Sequence, residues 1–137
     1  MTARTTAATG PDATGHPAAH TIVLRDITHH YGDATALDAI SLDIAPGELI
    51  ALLGPSGCGK STLIRIIAGF VRQTSGEVRI DGLAIDAVEP GKRGIGIVFQ
   101  NYALFPHLSV IDNVAYGPLA QGAPRKQGLA IAAEMLD

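Results

Sequence analysis

A glycine-rich segment constrains this sequence more than any other feature. Residues 54–62 read Gly-Pro-Ser-Gly-Cys-Gly-Lys-Ser-Thr, after the apolar run 49–53 and before the helix-like stretch 63–68. The spacing of the Walker A motif is met by Gly54, Gly59, Lys60 and Ser61. A strand, a loop and a helix in this order distinguish a working phosphate loop from a chance match. The segment predicts a loop that binds a nucleoside triphosphate, and the alternative is a glycine-rich turn that only connects strand to helix.

Each residue type in this loop has a physical role. Gly57 and Gly59 allow successive backbone N–H groups to turn toward an anion without steric bulk. A helix that begins near Lys60 directs its unpaired N–H groups and the positive end of its dipole at the same anion. We expect the Lys60 ammonium to reach the β- and γ-phosphates, Ser61 to ligate Mg²⁺ and Thr62 to support the phosphate. The predicted ATP site in this loop comprises Gly54, Pro55, Ser56, Gly57, Cys58, Gly59, Lys60, Ser61 and Thr62.

Composition is typical of a globular intracellular domain. Of 137 residues, 47% are hydrophobic and 17% are charged. The formal net charge is −3 and the basic residues are scattered, so a nucleic-acid partner is not expected.

The single cysteine, Cys58, cannot form an internal disulfide, which fits a reducing compartment. A redox switch at this thiol is an alternative. No apolar stretch is long enough to span a bilayer, so a role at a membrane would require a partner.

The pattern along the chain predicts a tail followed by one ordered region. Residues 1–20 are rich in Ala and Thr and are interrupted by Gly and Pro, so we expect a disordered tail before the ordered residues 21–137. Strands are expected from Thr21, over 39–44 and over 49–53.

Further elements are expected after the phosphate loop. These are short strands over 77–82 and 95–99, a helix that begins with the capping-box pattern 109–112, and a last helix over 124–137. The apolar face of that last helix, formed by Leu129, Ala132, Ala133 and Leu136, has no evident partner in the sequence.

Three stretches of the sequence together are far more specific than the loop alone. They are His30-Tyr31-Gly32, the loop 54–62, and residues 98–107, which read Val-Phe-Gln-Asn-Tyr-Ala-Leu-Phe-Pro-His. With these stretches the sequence resembles the ATP-binding subunit of ABC transporters, most closely the importer branch. The resemblance covers Thr21 to the end, with Gln73 where a proline is more usual. It implies an α/β P-loop NTPase fold, with a RecA-like core and an antiparallel β-subdomain, incomplete at the C-terminus.

The resemblance assigns two further site residues. Tyr31 matches the family's A-loop aromatic, whose ring stacks on adenine, and the alternative is a tyrosine that packs at a strand end. Gln100 matches the Q-loop glutamine, whose amide oxygen binds Mg²⁺ or a water near the γ-phosphate. This side chain can swing away when that phosphate leaves. The alternative for Gln100 is an ordinary polar residue at a strand end. Lys60 and Gln100 are thus the expected catalytic residues, and Ser61 and Gln100 the expected Mg²⁺ ligands.

The resemblance also implies partners and a place in the cell. Residues 101–107 would form an apolar surface loop that docks a membrane permease, unless their aromatic side chains pack in the core. The complete protein would form a homodimer or pair with another ATPase subunit, and it would lie at the cytoplasmic face of the membrane. It would act indirectly with a periplasmic or extracellular solute-binding protein. His29, His30 and His107 have no metal-ligand spacing and are interpreted as surface or packing residues.

Two hypotheses remain open at this point. The family's signature motif, Walker B strand, catalytic glutamate and switch histidine would lie beyond Asp137, and hydrolysis needs a positioned water as well as a phosphate cradle. The chain is therefore either the N-terminal part of an importer ATPase, or a truncated nucleotide-binding fragment or regulatory module without ATPase activity. A different P-loop enzyme, such as a nucleotide kinase, would leave Gln100 and the segment 105–107 without a role.

Overall fold

The computed structural model describes residues 19–137, so most of the predicted tail lies outside the described residues. Contacts divide the described chain into a first unit, residues 19–96, and a second unit, residues 97–137. The first unit contains β1 (Ile22–Tyr31), β2 (Ala34–Ile44), α1 (Lys60–Ala68), β3 (Ser75–Ile80), β4 (Leu83–Ala84) and a 3-10 turn (Pro90–Lys92). The second unit contains α2 (Val110–Ala120) and α3 (Arg125–Leu136).

The sheet of the first unit is antiparallel, with strand order β2-β1-β3-β4. A tight turn at Gly32 and Asp33 joins β1 to β2, and Tyr31 lies opposite Ala34 at its base. Gly32 has a φ of 58°, a left-handed conformation that glycine adopts without steric cost. The hairpin therefore brings the residues that follow the turn back alongside Tyr31.

One apolar cluster holds α1 against this sheet. Leu24, Ile27 and Val78 from the strands and Ile66 from α1 are fully buried. Burial of each such side chain contributes roughly 1.5–3 kcal/mol relative to exposure. Packing on the sheet thus fixes the position of α1, and with it the phosphate loop at its N-terminus.

The second unit is a helix pair. Ser109 is the N-cap of α2, where its hydroxyl oxygen accepts a hydrogen bond from the Asp112 N–H at 3.3 Å, as the capping-box pattern predicts. Gly128 of α3 lies so close to α2 that a Cβ there would be 2.9 Å from Leu119 Cδ2. Ala132, one turn further along α3, is fully buried. The expectation of an unpartnered face on α3 was wrong at this residue, since small side chains let the two helices approach.

Two predicted strands do not form. Residues 49–53 and 95–99 are assigned to no strand, and Leu49 and Val98 are more than 90% exposed. A strand is defined by hydrogen bonds to neighbouring strands, and no strand within residues 19–137 pairs with either segment. The apolar composition of these segments was correctly noted, but composition alone does not supply a pairing partner.

Other boundaries differ from the prediction in smaller ways. The second strand begins at Ala34 rather than at residue 39, because the turn at Gly32 lets pairing with β1 start at once. The strand expected over 77–82 covers Ser75–Ile80 and ends in a turn that leads into β4. Among the helices of the described residues, none has the length and apolar character needed to span a bilayer.

Candidate nucleotide-binding site

A cavity of about 430 Å³ lies within the first unit, between the phosphate loop and the hairpin of β1 and β2. Pockets of roughly 300–1,000 Å³ are typical of small-molecule sites. The loop contributes Ser56, Gly57, Gly59, Lys60, Ser61 and Thr62 to its lining. The hairpin contributes Tyr31, Ala34, Thr35 and Ala36. The fold thus brings the predicted phosphate loop and the predicted base-stacking residue to one cavity.

The loop requires glycine at two positions, and one of them has a second steric constraint. Gly57 and Gly59 have φ values of 83° and 88°, in the left-handed region. A Cβ at Gly57 would meet open space, whereas a Cβ at Gly59 would lie 2.4 Å from the Ala36 carbonyl oxygen and 2.6 Å from Leu37 Cδ2. The loop therefore lies close to β2 at Gly59, and a side chain at this position would push the two walls of the cavity apart.

Lys60 is held within its own loop. Its ammonium donates hydrogen bonds to the carbonyl oxygens of Gly54 and Pro55, both at 2.7 Å, and lies 3.3 Å from the sulfur of Cys58. These acceptors are neutral carbonyl oxygens and a thiol. Among residues 19–137 the ammonium makes no ion pair with a carboxylate, so its charge remains available to an anion.

The N-terminus of α1 presents donors to the same cavity. Gly59 is the N-cap, no side chain caps the helix, and the first turn carries no acidic residue. The first N–H groups of a helix have no acceptor within the helix, and the helix dipole favours an anion at this end. Ser61 and Thr62 line the cavity from this first turn. Backbone donors, a lysine cation and two hydroxyl groups thus converge there.

Tyr31 occupies the opposite wall of the cavity. Its side chain is half exposed, and its ring lies edge-to-face against the ring of His29, with centroids 4.5 Å apart and planes at 85°. Edge-to-face contact is a preferred arrangement of aromatic rings. The ring is therefore supported on one side while it remains open to the cavity.

Some predicted site residues do not line the cavity. Gly54 and Pro55 contribute through the carbonyl oxygens that hold Lys60, and the Cys58 thiol is exposed beside that ammonium. Gln100 lies in the second unit, in an exposed turn that follows residues 95–99. Its role at the γ-phosphate stays a prediction.

Sequence reasoning missed the wall formed by Ala34, Thr35 and Ala36. None of them has a side chain that suggests chemistry, and their place depends on the hairpin. The signal that could have found them is Gly32, because a tight turn directly after Tyr31 brings the next residues back beside its ring.

The segment 101–107, expected to dock a permease, is an irregular surface loop in the second unit. Tyr102 and Leu104 are 79% and 69% exposed, while the Phe105 ring packs against Tyr116 with centroids 4.5 Å apart. Asn113, which sequence reasoning also missed, accepts a hydrogen bond from the Phe105 N–H at 2.8 Å and donates to the Phe105 carbonyl oxygen at 3.2 Å. Part of this segment is therefore anchored while other apolar side chains are displayed.

The sequence of this chain matches a known protein family. Residues 37–137 match the family described as "ABC transporter". The chain belongs to the ABC transporter family. The predicted family is confirmed, and curated members of the family show how much of such a protein the chain represents.

Two curated relatives of this ABC transporter chain are import ATP-binding proteins. It is 48% identical over 122 residues to the spermidine/putrescine import ATP-binding protein PotA of Roseobacter denitrificans, across 89% of this chain and 34% of the relative. It is 50% identical over 105 residues to the sn-glycerol-3-phosphate import ATP-binding protein UgpC of Yersinia enterocolitica, across 76% of this chain and 29% of the relative. The chain therefore spans about a third of the length of these relatives.

Solved structures confirm the predicted α/β P-loop fold with its antiparallel sheet. The dimeric bacterial ABC transporter cassette MJ0796 superimposes with a TM-score of 0.73 at 32% identity, covering 82% of this chain and 54% of that cassette. The dimeric post-hydrolysis state of MJ0796, bound to ADP and Pi, gives a TM-score of 0.72 at 30% identity with the same coverage. The chain therefore has the fold of part of an ATP-binding cassette.

Proposed function

We propose that this chain is the nucleotide-binding part of an ATPase that powers solute import through a membrane permease. The observation that carries the proposal is the cavity shared by the phosphate loop and Tyr31. A nucleoside triphosphate needs N–H donors and a cation at its phosphate end and a flat apolar surface at its base end. The cavity offers both, and the relatives PotA and UgpC are named as import ATP-binding proteins.

Lys60 would bind and orient the terminal phosphates. Its present acceptors, the carbonyl oxygens of Gly54 and Pro55, are neutral, and phosphate oxygens are charged. A charged phosphate oxygen adds a charge–charge attraction that a neutral carbonyl oxygen lacks, so the ammonium gains by turning from the loop to the ligand. A cation in this position also stabilises the charge on the transferred phosphoryl group.

Ser61 fits the role of a Mg²⁺ ligand. Its hydroxyl group lies in the first turn of α1 and lines the cavity beside Lys60. Magnesium keeps several waters and uses few protein oxygens, so one hydroxyl with phosphate oxygens is a sufficient donor set. When bound, the ion neutralises charge on the β- and γ-phosphate oxygens. Gln100 is proposed as a further oxygen ligand on the basis of the family resemblance.

Tyr31 would stack on the nucleotide base. Stacking of a base on an aromatic ring contributes roughly 1–3 kcal/mol and tolerates different bases. The half-exposed ring at the rim of the cavity is suited to this role. Tyr31 therefore adds affinity for nucleotides over polyphosphates that lack a base.

The complete protein would work with partners at the cytoplasmic face of the membrane. The exposed side chains of Tyr102 and Leu104 support docking of a permease on the loop 101–107, because exposed apolar groups often mark protein interfaces. The related cassette MJ0796 is dimeric, which supports pairing with a second ATPase subunit. Relatives named for polyamines and for glycerol phosphate share the same level of similarity, so we propose import without assigning a solute.

The test compares ATP with tripolyphosphate, which has no base. In the full-length protein, binding is measured by titration calorimetry and turnover by phosphate release. We expect Lys60→Ala to weaken both ligands and abolish turnover, and Tyr31→Ala to weaken ATP alone. Lys126→Ala is the control, because Lys126 is exposed on α3.

Each result has a distinct meaning. Unchanged turnover in Lys60→Ala would contradict the phosphate-loop assignment. Wild-type protein that binds ATP without releasing phosphate would favour the alternative, a nucleotide-binding module without ATPase activity.

A further inference from the structure

His29 is a buried titratable side chain to which the proposed mechanism gives no role. It lies on β1 with only 8% of its surface exposed. Neither ring nitrogen has a hydrogen-bond partner within residues 19–137. Buried polar atoms in folded proteins are nearly always paired, so an imidazole without partners in the described chain requires an explanation.

The contacts of His29 point toward the nucleotide cavity. Its ring meets the Tyr31 ring edge-to-face at 4.5 Å, and Tyr31 lines the cavity while His29 does not. On the neighbouring strand His29 lies opposite Leu37, whose Cδ2 is 2.6 Å from the point where a Cβ on Gly59 would lie. His29 therefore lies behind the cavity, between the base-stacking residue and the β2 residue that contacts the phosphate loop.

We propose that His29 is a positioning residue that sets the plane of the Tyr31 ring for base stacking. The inference rests on the proposed function. Because no hydrogen bond to a described residue holds the imidazole, packing determines its orientation, and its flat ring is the part that contacts Tyr31. An aromatic ring at position 29 is therefore what the site requires, and the two nitrogens are dispensable.

The experiment separates the ring from its nitrogens and from its volume. His29→Phe keeps a flat aromatic ring without nitrogens, whereas His29→Leu fills the buried space without a flat ring. In the full-length protein, calorimetric affinities are measured for ATP and for tripolyphosphate. We expect His29→Phe to bind both ligands as the wild type does. We expect His29→Leu to bind ATP about 3- to 10-fold more weakly, which corresponds to the loss of one contact between aromatic rings. Its affinity for tripolyphosphate should be unchanged.

A control on the same strand separates positioning from general destabilisation. Ile27 is fully buried on β1, and at about 3.4 Å per residue it lies roughly 14 Å along the strand from Tyr31. Ile27→Val should lower the unfolding midpoint while the ratio of ATP to tripolyphosphate affinity stays at the wild-type value. A changed ratio in this control would mean that any defect in the sheet displaces Tyr31, and the specific role of His29 would be refuted.

The affinities of the His29 and Tyr31 variants can each refute the proposal. Wild-type ATP affinity in His29→Leu would overturn the proposal, because it would show that a flat ring at position 29 is unnecessary. Loss of ATP affinity in His29→Phe would also overturn it, because it would show that the ring nitrogens are needed. A normal effect of Tyr31→Ala beside an inert His29→Leu would refute only the His29 role. Unchanged ATP affinity in Tyr31→Ala would refute base stacking itself, and the His29 role with it.

Discussion

The guanidinium group of Arg93 donates a hydrogen bond from Nη1 to the carbonyl oxygen of Ile66 at 3.0 Å, and so caps the C-terminal end of α1. Nη1 also donates to the Ile67 carbonyl oxygen at 2.9 Å, and Nε donates to the Val88 carbonyl oxygen at 2.8 Å. The last carbonyl groups of a helix have no donor within the helix, and a cation opposes the negative end of its dipole. Arg93 thus stabilises, from its far end, the helix that carries Lys60.

Loss of this cap should destabilise the first unit. Burial lowers the pKa of Arg93 and the nearby Asp86 carboxylate raises it, burial being the larger cause, but a guanidinium group stays charged in proteins. Hydrogen bonds from a charged donor contribute about 1.5–3 kcal/mol, so we expect Arg93→Ala to lower the free energy of unfolding by about 2–3 kcal/mol. Denaturant unfolding measures this loss. Arg72→Ala is the control, since Arg72 is exposed; equal losses in both variants would contradict the capping role.

Two glycines of the phosphate loop should respond differently to the same change. Both have positive φ, which costs an alanine roughly 1–2 kcal/mol. Only at Gly59 does the added Cβ also meet the Ala36 carbonyl oxygen and Leu37. We expect Gly59→Ala to lower ATP affinity more than 10-fold, beyond what backbone strain alone explains, and Gly57→Ala to lower it less. Equal effects in ATP titrations would show that the contact with β2 does not control the cavity.

Asn113 should determine the order of the surface loop in the second unit. Its Nδ2 donates to the carbonyl oxygens of Phe105, Leu108 and Ser109 at 3.2, 3.1 and 2.9 Å, and its Oδ1 accepts from the Phe105 N–H. Each of these hydrogen bonds contributes about 1 kcal/mol net to the stability of the closed loop. We therefore expect the loop to open at least about tenfold more often in Asn113→Ala. Faster hydrogen exchange at the Phe105 amide is the expected readout. Asn101→Ala, in the same loop, should leave that exchange rate unchanged.

Asp81 should make the beginning of β1 sensitive to acid. The hydrogen bond from His20, at 2.5 Å, is the main cause that lowers the pKa of Asp81, and the Thr21 N–H at 2.9 Å contributes next. A carboxyl group with a lowered pKa stabilises the fold above its unfolded value, 3.8, and loses that contribution as the pH falls through the folded value.

The corresponding test follows stability with pH. Asp81→Asn keeps an oxygen acceptor and tolerates the left-handed φ of 50° at this position, but it cannot titrate. We expect the difference in unfolding free energy between wild type and Asp81→Asn to shrink as the pH is lowered below about 4. A difference that stays constant from neutral pH to about pH 2.5 would exclude a titrating role for this carboxylate.

Local features of the sequence were predicted well because short-range spacing encodes them. The glycine turn at the start of α1, the Ser109 cap and the helix that ends at Leu136 all depend on residues within a few positions of one another. Steric preferences and hydrogen bonds along the chain decide such features before any tertiary contact forms.

The sequence by itself thus determined which family the chain belongs to and which segments are helical, and it predicted where a phosphate would bind. Only the tertiary structure decided what faces the loop: the hairpin that brings Thr35 and Tyr31 to one cavity, His29 behind that ring, and Arg93 at the far end of α1. It also left residues 49–53 without a strand partner in the described chain. These contacts join residues far apart in sequence, and their geometry depends on strand pairing and packing, which local spacing does not contain.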